Sequence, residues 1–298
     1  MNEALEQRVA AMLMREVHPA ITVQARLMGE EAGALAVLFY GSNLRTGSLD
    51  GVLDYYVLMP GAEEKGLWPR VAYREWDSGG ERLRAKIATV TLAKFAAAAA
   101  GRTLDTTIWA RFVQPSALVW QRDDAAGAGV VAAVSEAART AARLAVVLGP
   151  TRGTDDDYWR SLFRATYRAE LRVEPPGRED AILAANRDHF AGLLSAALGS
   201  AGIPYVQDRS TVSPRMASGE HDRVLRWWRV RRSLGKALNG ARLVRAAGTF
   251  DGAARYAAWK IERHTGVAVE VTPWREKHPV LAAPGVLWRV WRRRKPAS

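Results

Sequence analysis

The chain has no cysteine, which excludes disulfides and thiolate metal sites and fits a reducing compartment. It also lacks any run near the roughly 20 apolar residues that cross a bilayer. The longest candidates, around ARLAVVLG and KIATVTLAKFAAAAAG, are short or interrupted by charge. The first residues, MNEALEQRVAAMLMREV, carry acids early and have no uninterrupted apolar core. Neither a secretory signal nor an organelle presequence is expected from them.

Acidic residues are scarce in one place. From Arg223 to the end there are 18 Lys/Arg against 4 Asp/Glu, whereas the first 222 residues carry 25 against 27. The net charge of +12 therefore comes from the last quarter, which also holds six of the 11 tryptophans: Trp227, Trp228, Trp259, Trp274, Trp288 and Trp291. A basic tail suits nucleic acid or an anionic membrane surface. Tryptophan mixed with arginine favours the membrane, because indoles prefer the headgroup layer.

What is present is enough for a sizeable core. Apolar residues make up 48% of 298, a length that accommodates two domains and an appendage. Residues 2–17 read as an amphipathic helix, and 34–40 and 53–59 as two strands joined by a short polar loop. Residues 61–80 read as loop, interrupted by Pro69 and Gly79-Gly80. RLRAKIATVTL alternates as a third strand and is followed by an alanine-rich helix ending at Gly101. After Gln114-Pro115 comes a short strand, closing a first α/β unit over 1–122. A linker over 123–129 leads to a helical unit, 123–221. In it, VVAAVSEAARTAARLAVVL stops at Gly149-Pro150, and Thr154 with Asp155 to Asp157 reads as an N-cap cluster opening the helix YWRSLFRATYRAEL. Residues 178–197 read as one more helix and 205–221 as loop. Basic helices over 222–239 and 252–265 fill the third unit, 222–298. In the first of them Leu225, Trp228, Leu234 and Leu238 share a face, which either packs on the protein or meets a membrane. The terminal LWRVWRRRK is assigned to the membrane.

The chemistry concentrates in AVLFYGSNLRTGSLDGVLDYYVL, residues 36–58. An apolar run ends in Tyr40-Gly41-Ser42, and a second opens on Asp54. A glycine lets backbone approach a triphosphate closely, and the Ser42 hydroxyl and amide can hold its oxygens. A carboxylate at the start of the next strand can carry a Mg²⁺ that bridges those phosphates. A β-hairpin with the polar turn TGSLDG would read the same way. The usual second carboxylate of such a strand is missing, since Tyr56 stands there. Asp50, Glu75 and Asp77 are the nearest substitutes, and the choice among them stays open.

Further blocks carry a resemblance. They are Lys86 in the third strand; Arg111 within ARFVQP; Tyr167, Glu170 and Arg172 in TYRAELRVE; and Asn186, His189 and Phe190 in an Asn-x-x-His-Phe pattern. In order and spacing over about 34–195 the chain resembles the mitochondrial phosphatidate cytidylyltransferases, or mitochondrial translocator assembly and maintenance proteins, which have bacterial relatives. The resemblance implies an α+β protein with a nucleotidyltransferase domain, a mostly helical winged-helix-like domain and a basic amphipathic C-terminal segment. It implies a Mg²⁺-dependent enzyme at the cytoplasmic face of a membrane that makes CDP-diacylglycerol and pyrophosphate from CTP and phosphatidic acid. Asp54 would hold the metal, with Gly41 and Ser42 on the leaving pyrophosphate. Lys86 and Arg111 would neutralise phosphate charge. Tyr40, Tyr167, Arg172, Asn186 and His189 would complete the nucleotide site. The i, i+8 spacing of Trp159 and Tyr167 suits a core pair better than base stacking. Nucleic acid is not the expected partner, although transfer to RNA and an inactive lipid-binding adaptor are the rival readings.

Overall fold

Strands that are apolar at nearly every position are buried on both faces: β1 (Ala36–Tyr40) is buried throughout, and β2 (Leu53–Met59) is buried except at Asp54, its one charged residue, and at Met59. The computed structural model describes residues 2–66, 69–169, 177–249, 252–277, 281–285 and 288. Helices α1 (Asn2–Leu13) and α2 (Pro19–Ala32) precede β1, and the five-residue α3 (Ser42–Thr46) stands where a loop is expected before β2. Then come β3 (Arg70–Ser78), β4 (Glu81–Thr91), α4 (Leu92–Ala99), α5 (Thr107–Phe112) and β5 (Ser116–Gln121). These strands form one mixed sheet in the order β3-β4-β2-β1-β5, with β2 and β4 parallel and the other pairs antiparallel. The protein is thus of mixed α+β class.

Alternate residues separate the two faces of this sheet. Val37, Phe39, Leu53, Tyr55, Val57, Ala85 and Ile87 pack with Ile21 and Ala25 of α2. Leu38, Tyr40, Tyr56, Leu58, Ala88 and Val90 face the larger core, which is built with α1, α4 and α5. Asp54 and Lys86 belong to this second face. They lie at its end, where the apolar side chains give out.

The remaining chain follows as α6 (Asp124–Leu148), β6 (Gly153–Thr154), α7 (Asp155–Ala169), α8 (Arg178–Ala185), α9 (Arg187–Phe190) and α10 (Leu193–Ser200). After these come β7 (Tyr205–Asp208), β8 (Thr211–Pro214), α11 (Ser218–Thr249), α12 (Ala253–Thr265) and α13 (Pro273–Lys277). Strands β6, β8 and β7 make a small antiparallel sheet. The larger core runs without a break from Leu5 through the face of α6 to Trp228.

Four local expectations need correction. Residues 70–78 are a strand, not loop: Gly79 and Gly80, at φ +60° and +84°, make the tight turn joining β3 to β4. No linker occupies 123–129, because the Asp123 carboxylate accepts the Ala126 amide at 2.8 Å and starts α6 at once. The single helix over 178–197 is three short ones, broken at Asn186 and at Gly192, whose φ is +73°. Residues 205–214 are a hairpin, where the alternation was too short to read.

Candidate active site

Gly41 sits immediately after β1 at φ +95° and ψ −160°, a conformation that L side chains rarely adopt. A Cβ there would lie 3.0 Å from Asp54 Oδ2. The glycine is therefore needed twice, for its backbone angle and for the space of the carboxylate beside it. Ser42 opens α3, and Asn43, buried one residue on, donates its Nδ2 to the carbonyls of Ser48 and Asp50 at 2.8 and 2.7 Å. That pair of bonds holds the turn leading into β2. Asn43 was missed in the sequence, where an asparagine after Gly-Ser reads only as turn.

Strand register then lines up the chemistry. Tyr40 pairs with Asp54, and Asp54 with Lys86. Directly opposed residues point to one face of a sheet, so the three form a row across β1, β2 and β4. Arg111, at the end of α5, joins the row from above. Its Nη1 donates to the Tyr56 hydroxyl at 3.2 Å, and its guanidinium lies 5.1 Å from the Tyr40 ring centre. Burial pushes the Asp54 carboxyl above its ordinary range, and the charges of Lys86 and Arg111 pull against that rise.

This row forms part of the wall of a cavity of about 350 Å³. Tyr40, Gly41, Ser42, Asp54, Lys86, Arg111, Tyr167 and Asn186 all line it, so eight of the residues singled out in the sequence meet in one place. Arg45, Gln114, Arg178 and Tyr256 line it too and were not anticipated. Four cations and one carboxylate give the cavity a strong positive balance suited to a polyanion. Tyr167 stacks on Phe163 at 6.4 Å while reaching the cavity, so it serves core and site together. Asn186 donates its side-chain amide to the Ile182 carbonyl at 2.8 Å, closing the end of α8.

Arg172 and Glu170 lie outside the described residues. His189 requires correction. It does not line the cavity, and its Nε2–H donates to the Val113 carbonyl at 2.8 Å while its ring packs edge-on against Phe190. Burial lowers its pKa to about 4, so the imidazole is neutral at pH 7 and ties α9 to the turn after α5.

None of the substitutes for a second carboxylate reaches the cavity. Glu75 accepts from the Tyr73 hydroxyl at 2.8 Å and pairs with Arg84 at 3.3 Å. Asp77 pairs with Arg82 at 3.5 Å on the surface, and Asp50 is exposed in the turn. Among the described residues no group of three or more His, Cys, Asp or Glu is placed to hold a metal. Asp54 alone still fits a Mg²⁺ that takes its other ligands from phosphate oxygens and water. Lys86 and Arg111 would make a bare divalent ion costly there, so Asp54 would take the ion as its nucleotide complex.

The first basic helix packs on the protein, one of the two outcomes left open, through Trp228 but not through the whole of the stripe read in the sequence. On α11 Trp228, Arg231 and Gly235 are buried and Val224 partly so, while Leu234 is exposed. Trp227 Nε1 donates to the Gly101 carbonyl at 2.9 Å. A Cβ on Gly235 would lie 2.5 Å from the Ala169 carbonyl oxygen, so the helix backbone runs hard against α7. Compared with protein-family models, the chain matches none, and no curated protein matches it either.

Proposed function

We propose that the chain is a peripheral-membrane cytidylyltransferase, making CDP-diacylglycerol and pyrophosphate from CTP and phosphatidic acid. The observation that carries this is the lone carboxylate of Asp54, fitted against a glycine with no room for a side chain and set among Lys86, Arg111, Arg45 and Arg178. That arrangement suits the triphosphate of a nucleotide better than a neutral substrate. The likeness to the phosphatidate cytidylyltransferases rests on the motif residues themselves, eight of which gather at this cavity. In this reading β1–β5 with α3–α5 are the nucleotidyltransferase domain, and α7–α10 with β6–β8 are the winged-helix-like domain.

The reaction needs little proton transfer, since a lipid phosphate is already ionised near neutral pH. Its oxygen attacks the α-phosphorus of CTP, the new P–O bond forms, and the bond to the bridging oxygen breaks as pyrophosphate leaves with the electron pair. Catalysis then rests on positioning and charge neutralisation. Gly41 and Ser42 hold the leaving phosphates through backbone and hydroxyl. Lys86 and Arg111 offset charge on the triphosphate, and Tyr56 and Tyr40 keep Arg111 aimed there. Tyr167, Arg178 and Asn186 close the cavity over the nucleoside. A Mg²⁺ held by Asp54 would further neutralise the phosphate oxygens.

Association with the membrane surface is supported by composition and exposure. No described helix is long and apolar enough to cross a bilayer. Trp274, Leu281 and Trp288 are exposed at 56%, 70% and 55%, beside Arg275 and Lys277. Residues 289–298, with most of the basic terminus, lie outside the described residues.

The test is incubation with labelled CTP, Mg²⁺ and phosphatidic acid vesicles. The expected result is lipid-dependent pyrophosphate release with a labelled lipid product. Labelling of RNA with no lipid product would replace this reading with transfer to nucleic acid. Vesicle binding with no transfer to either would leave a lipid-binding adaptor.

A further inference from the structure

Three parts of the chain supply the cavity wall. The sheet end and α5 bring Gly41, Asp54, Lys86 and Arg111, while α7 and α8 bring Tyr167 and Arg178. From the C-terminal quarter comes Tyr256 of α12. This tyrosine is firmly placed. Its ring centre lies 5.4 Å from that of Tyr73, the strand partner of Lys86, and Trp259 lies nearly parallel to it at 6.3 Å. Gly252 opens α12 at φ +79°, where a Cβ would stand 2.6 Å from the Tyr73 carbonyl oxygen. The helix therefore begins in backbone contact with the sheet edge.

From Tyr256 a file of rings and cations runs along α12. Lys260 Nζ lies 5.4 Å from the Tyr256 ring centre, and the Arg263 and Arg84 guanidinium groups lie 5.2 and 5.8 Å from that of Trp259. Contacts of this kind orient a cation while leaving its outer side in water. Lys260 and Arg263 are both exposed. Arg263 also reaches the turn that feeds β2, its Nη1 lying 2.9 Å from where a Gly51 Cβ would be. Arg45, Lys86, Arg111 and Arg178 already match the charge of a triphosphate, so an incoming phosphate needs cations of its own. Beyond α12 the chain leads to the exposed Trp274, Leu281 and Trp288, side chains that suit a bilayer surface. Lys260 and Arg263 do not line the cavity themselves; they stand about one and two turns along α12 from Tyr256, which does.

We infer that α12 is the acceptor side of the cavity, with Tyr256 as a positioning wall and Lys260 and Arg263 as the cations that receive the phosphate of an anionic lipid. This rests on the cytidylyltransferase reading. The experiment compares the wild-type chain with the K260Q/R263Q double variant, whose changed residues are exposed and leave the core alone. CTP and phosphatidic acid are varied separately, the lipid both in mixed micelles and as the soluble dioctanoyl form. The expected result is a KM for either form of phosphatidic acid raised about 10-fold or more, with the KM for CTP within about twofold. An unchanged phosphatidic acid KM overturns the inference. So does a loss seen only in micelles, which would make α12 a surface contact and nothing more. Wild-type protein that transfers nothing to phosphatidic acid overturns the cytidylyltransferase reading and this inference with it. Wild-type activity beside an indifferent variant overturns the assignment of α12 alone.

Discussion

Helices α11 and α12 are built from the same materials, tryptophan and arginine, with opposite results. On α11, Arg231 lies over the Trp227 ring at 4.0 Å and donates to the carbonyls of Gly101, Thr103 and Trp227 at 2.8, 2.7 and 3.1 Å. It is 7% exposed, and burial draws its pKa down to about 10, still charged at neutral pH. Further along, Arg242 pairs with the buried Asp105. On α12 the rings are similar but Lys260 and Arg263 face water, on the helix whose Tyr256 lines the cavity. A guanidinium whose donors are spent on backbone carbonyls is scaffold. One held only by a ring face remains available to a ligand. Composition cannot tell them apart, and burial does.

The largest effect that would sharpen this contrast belongs to the site. Asp54→Asn should lower turnover by about 10³-fold or more while the protein stays folded. The sign of its stability effect follows from the raised Asp54 pKa. A carboxyl held above its unfolded value contributes stability below that unfolded value and loses it as pH rises through the folded one. At neutral pH the asparagine removes this cost, so the thermal midpoint should equal or exceed that of the wild type. A lower midpoint would make Asp54 part of the scaffold.

Arg231→Ala should do the reverse and cost about 3 kcal/mol of stability, since it takes the Arg231 donor from the Thr103 carbonyl, leaves the Gly101 carbonyl with Trp227 Nε1 alone, and opens a gap under the Trp227 ring. Denaturant titration measures it, and a loss under about 0.5 kcal/mol would break the contrast between the two helices. A smaller, pH-dependent effect attaches to His189. Its folded pKa of about 4 lies below the ordinary 6.5, so the unfolded chain binds the extra proton between those values. Stability should therefore fall on acidification through that window, with a slope of at most about 1.4 kcal/mol per pH unit. His189→Gln, which can still donate to Val113, should flatten the slope in melts run from pH 7 to pH 4. The smallest effect is expected at Leu234→Gln on the exposed side of α11, within about 0.5 kcal/mol of wild type.

Much of the site could be read because its signals are local. Gly41 ends one strand and Asp54 opens the next, and alternation in RLRAKIATVTL put Lys86 on a strand of its own. Arg45, Arg178 and Tyr256 carried no such signal, being a turn-region charge, a helix-start charge and one aromatic among many. The face of α11 was misjudged for a related reason. Leucines at 225, 234 and 238 suggested one stripe, but the close approach allowed by Gly235 and the carbonyls open to Arg231 turned a different side inward. His189 entered the site only through the resemblance, since nothing local announces the carbonyl at Val113 that it bonds.

Sequence alone determined the elements whose cause lies within a few residues: two largely apolar strands, the glycine after the first, the carboxylate heading the second, and the lack of thiols. Tertiary structure decided which cations share a cavity and which are sealed into the scaffold. The physical reason is that burial and charge neutralisation depend on neighbours far away in the chain, and periodicity carries no record of which neighbours those are.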